Sequence, residues 1–192
     1  MVLGDDFRFI IAGKSASGKS VFFKRVIGDR PLVVYSATWG INDDFDDLNV
    51  VKGYDDFDEF IAFLNNLIRE RKSATKPYGR ITIVLNDFIG ATNIKVPELD
   101  MLFTMGRHLL INVVLITQAL TTVLKPIYRT NMTHLAVTKI TDSDVEKAYE
   151  FASGFKGKKE FIKFLKTNMV NYNVILFEES YESKVRIIRT CK

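Results

Sequence analysis

Residues 13–20 read Gly-Lys-Ser-Ala-Ser-Gly-Lys-Ser. A glycine, four residues and then Gly-Lys-Ser is the spacing of a loop that cradles polyphosphate. In such a loop successive backbone N–H groups turn inward and form an anion nest. A helix starting near Gly18, capped by Ser17 or a neighbouring group, adds its positive end. Gly13 and Gly18 carry no Cβ, so the backbone can come close to an anion. Lys19 would place an ammonium on the β and γ phosphates, and the Ser20 hydroxyl can ligate Mg²⁺. Lys14, Ser15, Ala16 and Ser17 complete the wrap, with Lys14 expected to face solvent.

Acting on a bound triphosphate takes more than a cradle. A P-loop hydrolase needs an acid at the end of another strand to hold Mg²⁺ through water and to orient the attacking water. The apolar run at 81–85 ends in Asn86-Asp87. Two assignments fit. Asp87 itself serves the metal, or Asn86 takes a weakened metal role while Asp87 polarises water. Asn carries no charge, so the second assignment predicts weaker Mg²⁺ binding or slow turnover. The structural alternative for Asp87 is an acid capping the next turn. The run at 112–117 ends before Gln118, which is placed by chain order to report the γ-phosphate; its alternative is a solvated amide. Arg107 precedes that strand, so it should lie at the opposite sheet edge from its own loop. From there it could complete a neighbour's site as an arginine finger in trans, or form an ordinary surface ion pair. Arg129, just before the next strand, is a second candidate on the same reasoning. His108 and His134 read as packing or hydrogen-bonding residues.

Positioning these groups requires alternating strands and helices. Strands are predicted at 7–12, 32–36, 80–85, 112–117, 135–140, 173–177 and 184–189, and helices at 19–27, 55–71, 97–105, 142–152 and 158–166. In the helix at 55–71, Phe57, Phe60, Ile61, Leu64 and Ile68 fall on one face. Acids crowd its start and Arg69, Arg71 and Lys72 its end, which suits the helix dipole. Between the strand at 32–36 and that helix runs an acidic loop with Asp43, Asp44, Asp46 and Asp47; Pro77-Tyr78-Gly79 breaks the chain after the helix. The alternation predicts a three-layer α/β/α fold with a mainly parallel central sheet. The final pair of strands is expected to form an antiparallel hairpin at its edge.

The chain has 192 residues, 47% of them apolar, with a net charge of +4. That suits one domain spanning 1–192 and excludes a disordered chain. The 15 Phe read as core. The single cysteine, Cys191, allows no intramolecular disulfide, which fits a reducing compartment. The start of the chain lacks a signal-peptide pattern, and the apolar run at 111–116 is too short to cross a bilayer.

The phosphate loop, Asn86-Asp87-Phe88, Gly106-Arg107-His108, the strand ending in Gln118 and Arg129-Thr130-Asn131 occur in the order seen in viral genome-packaging ATPases of the FtsK/HerA superfamily. The chain resembles the poxvirus-type members found in large double-stranded DNA viruses and virophages. The likeness runs over roughly residues 8–140 and is loose over the last fifty. Asn86 departs from it, since the family usually has Asp there. The resemblance implies a RecA-like ASCE P-loop NTPase that hydrolyses ATP with Mg²⁺. It also implies a homo-oligomeric ring of five or six subunits that moves double-stranded DNA into a capsid at a portal vertex, in the host cytoplasm, with the virion as a second location. In that picture Lys19 and Ser20 bind phosphate and Mg²⁺, Asp87 orients water, Gln118 reports the γ-phosphate and Arg107 acts on a neighbouring subunit.

Basic residues gather late. Lys156, Lys158, Lys159, Lys163 and Lys166 lie on or near one predicted helix, and Lys184, Arg186 and Arg189 are expected along one face of the last strand. Such a surface could track a phosphate backbone, or be a solvated face.

Rival readings remain. Asp87-Phe88-Ile89-Gly90 spells the D-x-x-G of regulatory GTPases. The guanine motif N/T-K-x-D should follow, but in Thr138-Lys139-Ile140-Thr141-Asp142 the acid comes one residue late. A small-molecule phosphotransferase would need an arginine-rich lid, whereas Arg69, Arg71 and Arg80 flank a helix and a strand start. A non-catalytic DNA-binding protein conflicts with an intact phosphate loop, although Asn86 keeps that reading open.

Overall fold

A computed structural model describes residues 3–41, 44–76, 78–87, 96–152, 154–170, 172–178 and 184–190. Asp43, Pro77, Phe88-Ile89-Gly90 and Cys191 lie outside the described residues. The chain order is β1 (Arg8–Ala12), α1 (Lys19–Ile27), β2 (Leu32–Ser36), β3 (Val50–Tyr54), α2 (Phe57–Ser73), β4 (Ile81–Asn86), α3 (Pro97–Met105) and β5 (Ile111–Thr117). It continues with α4 (Leu120–Val123), α5 (Pro126–Asn131), β6 (His134–Val137), α6 (Asp142–Phe151), α7 (Lys158–Asn168), β7 (Asn173–Glu178) and β8 (Lys184–Arg189).

The strands form one sheet in the order β3-β2-β4-β5-β1-β6-β7-β8. From β3 to β6 every pairing is parallel, and β7 and β8 add antiparallel strands at one end. This is the expected P-loop NTPase arrangement. β5 lies between β1 and β4, the insertion that P-loop ATPases make between loop strand and acid strand. Because helices cover both faces, the central strands are continuous apolar runs; all seven residues of β5 are buried.

Strand alternation divides the core in two. Ile10, Ile83, Leu85, Val113 and Leu115 face a large cluster built with Phe60 and Leu64 of α2, Leu102 and Phe103 of α3, and Phe161 of α7. Phe9, Ile11, Val84, Val114 and Ile116 face α1, whose Phe22, Phe23, Val26 and Ile27 fill that side. Helix starts follow local chemistry. Asp56 caps α2 by accepting from Glu59 N at 2.9 Å, and Thr141 caps α6 by accepting from Asp144 N at 3.3 Å. Helix α3 opens on Pro97, whose missing N–H costs nothing at that position. The cap of α1 differs from expectation. Gly18 occupies it at φ 91 with no side-chain bond, and Ser17 points elsewhere.

One patterning expectation fails on β8. Arg186 is registered with Leu176 and Arg189 with Asn173. A period of two therefore puts Lys184 and Arg186 on one face and Arg189 on the other. The lysines of α7 do form a stripe: Lys159, Lys163 and Lys166 are exposed at helical spacing, while Lys158 pairs with Glu146 of α6.

Candidate functional site

The phosphate loop is pinned on both flanks before it turns. Gly13 N donates to Thr117 O at the end of β5 (3.1 Å), and Lys14 N donates to Lys139 O just past β6 (2.8 Å). A Cβ on Gly13 would sit 1.7 Å from Thr138 Oγ1, so only glycine fits there. Thr138 Oγ1 lies 2.6 Å from Ser17 Oγ and donates to Ala12 O at 3.3 Å. Ser17 is therefore buried against β6 as a brace of the loop instead of capping the helix. The loop then passes through Ala16 (φ 53) and Gly18 (φ 91), left-handed backbone that leads into α1. Lys14, Ser15 and Ala16 are exposed, as expected of Lys14.

Lys19 folds back over this cradle. Its Nζ donates to Gly13 O at 2.7 Å and Lys14 O at 3.0 Å. Its residue is only 8% exposed. Burial pushes its pKa down, while the carboxylates of Asp87 and Asp44 pull it back up. Asp87, at the end of β4 with φ 48, thus acts electrostatically on the loop's ammonium. Asp44 is a second such carboxylate, set apart from the other acids of its loop only by the fold. Asn86 is buried, and its Nδ2 donates to Ser36 Oγ at 3.3 Å, bracing the end of β2. Gln118 is exposed at the end of β5, and the turn after it is held by Thr121 N donating to buried Asp144 Oδ1 at 3.0 Å.

A cleft of about 240 Å³ runs beside the loop, lined by Ala16–Val21 together with Asp44, Tyr172 and Thr190. Among the described residues no group of three or more His, Cys, Asp or Glu gathers as a metal cage. One hydroxyl and one or two carboxylates suit Mg²⁺, which keeps waters and takes phosphate oxygens in preference to an all-protein cage.

The candidate arginines lie at the other end of the sheet. Arg107 Nε is 3.8 Å from Asp6 Oδ2, and Asp6 precedes β1. Arg8 (3.3 Å) and Arg80 (3.8 Å) share the same carboxylate. The Arg107 side chain is 73% exposed. Arg129 pairs with Glu150 of α6. His108 is exposed; His134 is half-buried, with Nδ1 2.7 Å from Thr133 Oγ1.

The fold thus brings Gly13, Lys19, Ser20, Asp87 and Gln118 to the carboxyl edge and leaves Arg107 and Arg129 at the amino edge. Thr138, Asp44, Tyr172 and Thr190 were not singled out for this site by sequence reasoning. In sequence Thr138-Lys139 resembles part of a guanine motif, whereas the fold uses both residues to hold the loop.

A family profile described as Poxvirus A32 protein matches residues 46–192. The match includes the last fifty residues, where the likeness was expected to be loose, and starts after the phosphate loop. No curated protein matches by sequence. Among solved structures, the genome packaging NTPase B204 from Sulfolobus turreted icosahedral virus 2, in complex with ATP-gammaS, superposes with a TM-score of 0.69. It shares 16% identity over 96% of this chain and 97% of that one. The DNA-packaging ATPase B204 from Sulfolobus Turreted Icosahedral Virus gives 0.67 at 16% identity over 99% and 100%. EssC (ATPases 2 and 3) from Geobacillus thermodenitrificans gives 0.63 at 13% identity, over 95% of this chain and 39% of that one. At these identities the structural likeness speaks for a shared fold.

Proposed function

Because the chain belongs to the Poxvirus A32 protein family, the packaging ATPases it resembles, we propose that it is a motor coupling ATP hydrolysis to double-stranded DNA translocation into a capsid. The ATP hydrolase activity comes with the family. The observation that carries the reading is the strand order β4-β5-β1. It brings the Asp87, Gln118 and phosphate-loop ends to one sheet edge, with an inserted strand between loop and acid. The same order disfavours the regulatory GTPase reading.

In this reading residues 1–192 act as one ATPase domain. The nest from Gly13 to Ser20 grips the phosphates, and Lys19 swings from its carbonyl partners onto the β and γ oxygens. Mg²⁺ would be held by the Ser20 hydroxyl and, through water, by Asp87, with Asn86 able to offer only an uncharged oxygen. When bound, the ion would neutralise charge developing on the transferred phosphoryl group. Asp87 orients the attacking water and Gln118 contacts the γ-phosphate. Arg107, with Arg129 as second candidate, completes the site of the next subunit in a ring of five or six. Lys159, Lys163 and Lys166 offer a stripe for the DNA backbone, and the capsid or portal vertex is the docking partner. Among the described residues no helix is long and apolar enough to cross a membrane. The host cytoplasm and the virion are the places where such a motor works.

The test is steady-state hydrolysis of ATP and GTP by the purified chain, with and without double-stranded DNA. The expected result is ATP preference and stimulation by DNA that weakens as salt rises. GTP preference, or a rate indifferent to DNA at every salt concentration, would overturn the motor reading.

A further inference from the structure

The two flanks of the phosphate loop differ in chemistry. On the β5–β4 side stand Gln118 and Asp87; on the β6–β7–β8 side stand Thr138, Tyr172 and Thr190. A triphosphate whose γ end faces Asp87 must direct its nucleoside toward the second flank or out to solvent. The cleft reaches that flank, because Tyr172 and Thr190 line it with Gly18, Lys19, Ser20 and Val21, while Asp44 from the loop between β2 and β3 lines it near Lys19.

Tyr172 is held there by its backbone. It sits at φ 61, a left-handed conformation that a bulky residue adopts only when its surroundings impose it. Thr190, just past β8, supplies the constraint. Its N donates to Tyr172 O at 3.4 Å, and its Oγ1 donates to the same carbonyl. The Tyr172 ring edge lies 3.8 Å from where a Cβ on Gly18 would stand, and Thr190 Oγ1 lies 3.1 Å from that point. Lys139 Nζ is 5.3 Å from the ring centroid, and the Lys139 carbonyl holds Lys14 N. Val21 adds an apolar side chain, 42% exposed, to the same cleft. An aromatic ring, an apolar group and a hydroxyl beside the start of α1 are what a purine nucleoside would meet on leaving the phosphates.

We propose that Tyr172 is the nucleoside platform of this site, stacking on the base, with Val21 and Thr190 walling the ribose end. The proposal rests on the ATPase reading and adds to it a division of labour. The loop from Gly13 to Ser20 binds phosphate whatever is attached to it, and the C-terminal hairpin distinguishes a nucleotide from bare polyphosphate.

The experiment compares equilibrium binding of ATP and of inorganic tripolyphosphate, each with Mg²⁺, by the full chain and by Tyr172→Asn and Tyr172→Phe. Asn tolerates left-handed backbone, so the first variant removes the ring and keeps the turn. Base–aromatic stacking predicts roughly a tenfold loss of ATP affinity for Tyr172→Asn. Tripolyphosphate binding should stay within about twofold of the unaltered chain, and Tyr172→Phe should bind both probes as that chain does. An equal loss for both probes, or no loss for ATP, would overturn the platform while leaving the phosphate loop's role intact. Failure of the unaltered chain to bind either probe would overturn the nucleotide reading and this proposal with it.

Discussion

The two edges of the sheet are built from opposite materials. At the carboxyl edge the binding groups are mostly backbone: amides of the loop, pinned to the ends of β5 and β6 and packed so closely that Gly13 has no room for a side chain. A single buried ammonium, Lys19, faces Asp87 and Asp44 there. At the amino edge the candidate groups are long side chains. Arg8, Arg80 and Arg107 share the one carboxylate of Asp6, and Arg129 shares Glu150 with Lys147. The first edge is tightly packed, and the cation that folds over its nest, Lys19, is buried. The second carries Arg107 and Arg129 in exposed ion pairs, each worth only about 0–1 kcal/mol and cheaply exchanged. The proposed site between subunits would join an exposed guanidinium of one chain to the buried cradle of the next.

The largest expected effect is at the carboxyl edge. Lys19→Ala removes the only buried cation of the cradle and leaves its amides in place. Triphosphate binding measured by equilibrium dialysis with Mg²⁺ should fall at least roughly a hundredfold, because charge-assisted contacts to phosphate carry most of the grip. Retained binding would mean that the backbone nest suffices and that the contrast between the edges is misdrawn.

The next effect belongs to the other edge. Arg107→Ala should leave ATP binding within about twofold while lowering turnover by roughly a thousandfold, the scale of an arginine finger. Mixing Arg107→Ala with Asp87→Asn should restore part of the activity, because a ring containing both can assemble one intact site from two defective chains. No recovery would remove support for the trans role. Arg129→Ala should cost less, since that guanidinium is held by Glu150 and is less exposed than Arg107.

The same division explains what could be read from sequence. The carboxyl edge was legible because its geometry is local: eight consecutive residues specify the loop, and an apolar run fixes where Asp87 and Gln118 emerge. Helices α1 and α3 and strands β2 and β8 fall on their predicted residues for the same reason. Strand β3 escaped notice. Val51 and Lys52 are exposed on an edge strand, so Val-Val-Lys-Gly-Tyr shows no clear alternation. The short helices α4 and α5 hide in what reads as loop, too brief to show a period. Thr138, Tyr172 and Thr190 could not be found by pattern at all. They reach the phosphate loop across separations of more than a hundred residues, through sheet pairings that no local signal announces. Arg189 was misassigned for a simpler reason, a parity slip along β8 that moves a side chain to the opposite face.

The smallest expected effect reads the electrostatics of the amino edge directly. His134 opens β6 with its ring against Phe9, 5.6 Å between centroids. Burial pushes its pKa below the ordinary 6.5; Glu178 opposes this, and Arg186 and Arg8 add to it. The folded chain therefore resists protonation at pH values where the unfolded chain accepts it. Stability should be unaffected by this group above about pH 6.5, fall as pH drops below that, and level off once pH passes the folded value. Denaturant midpoints at several pH values should show the fall in the unaltered chain and a shallower one in His134→Asn. Glu178→Gln should steepen it, because a carboxylate that favours the imidazolium is removed while both arginines stay. If Glu178→Gln left the slope unchanged, the Glu178 carboxylate would be too well screened by solvent to act on the ring, and burial with the two arginines would set the histidine.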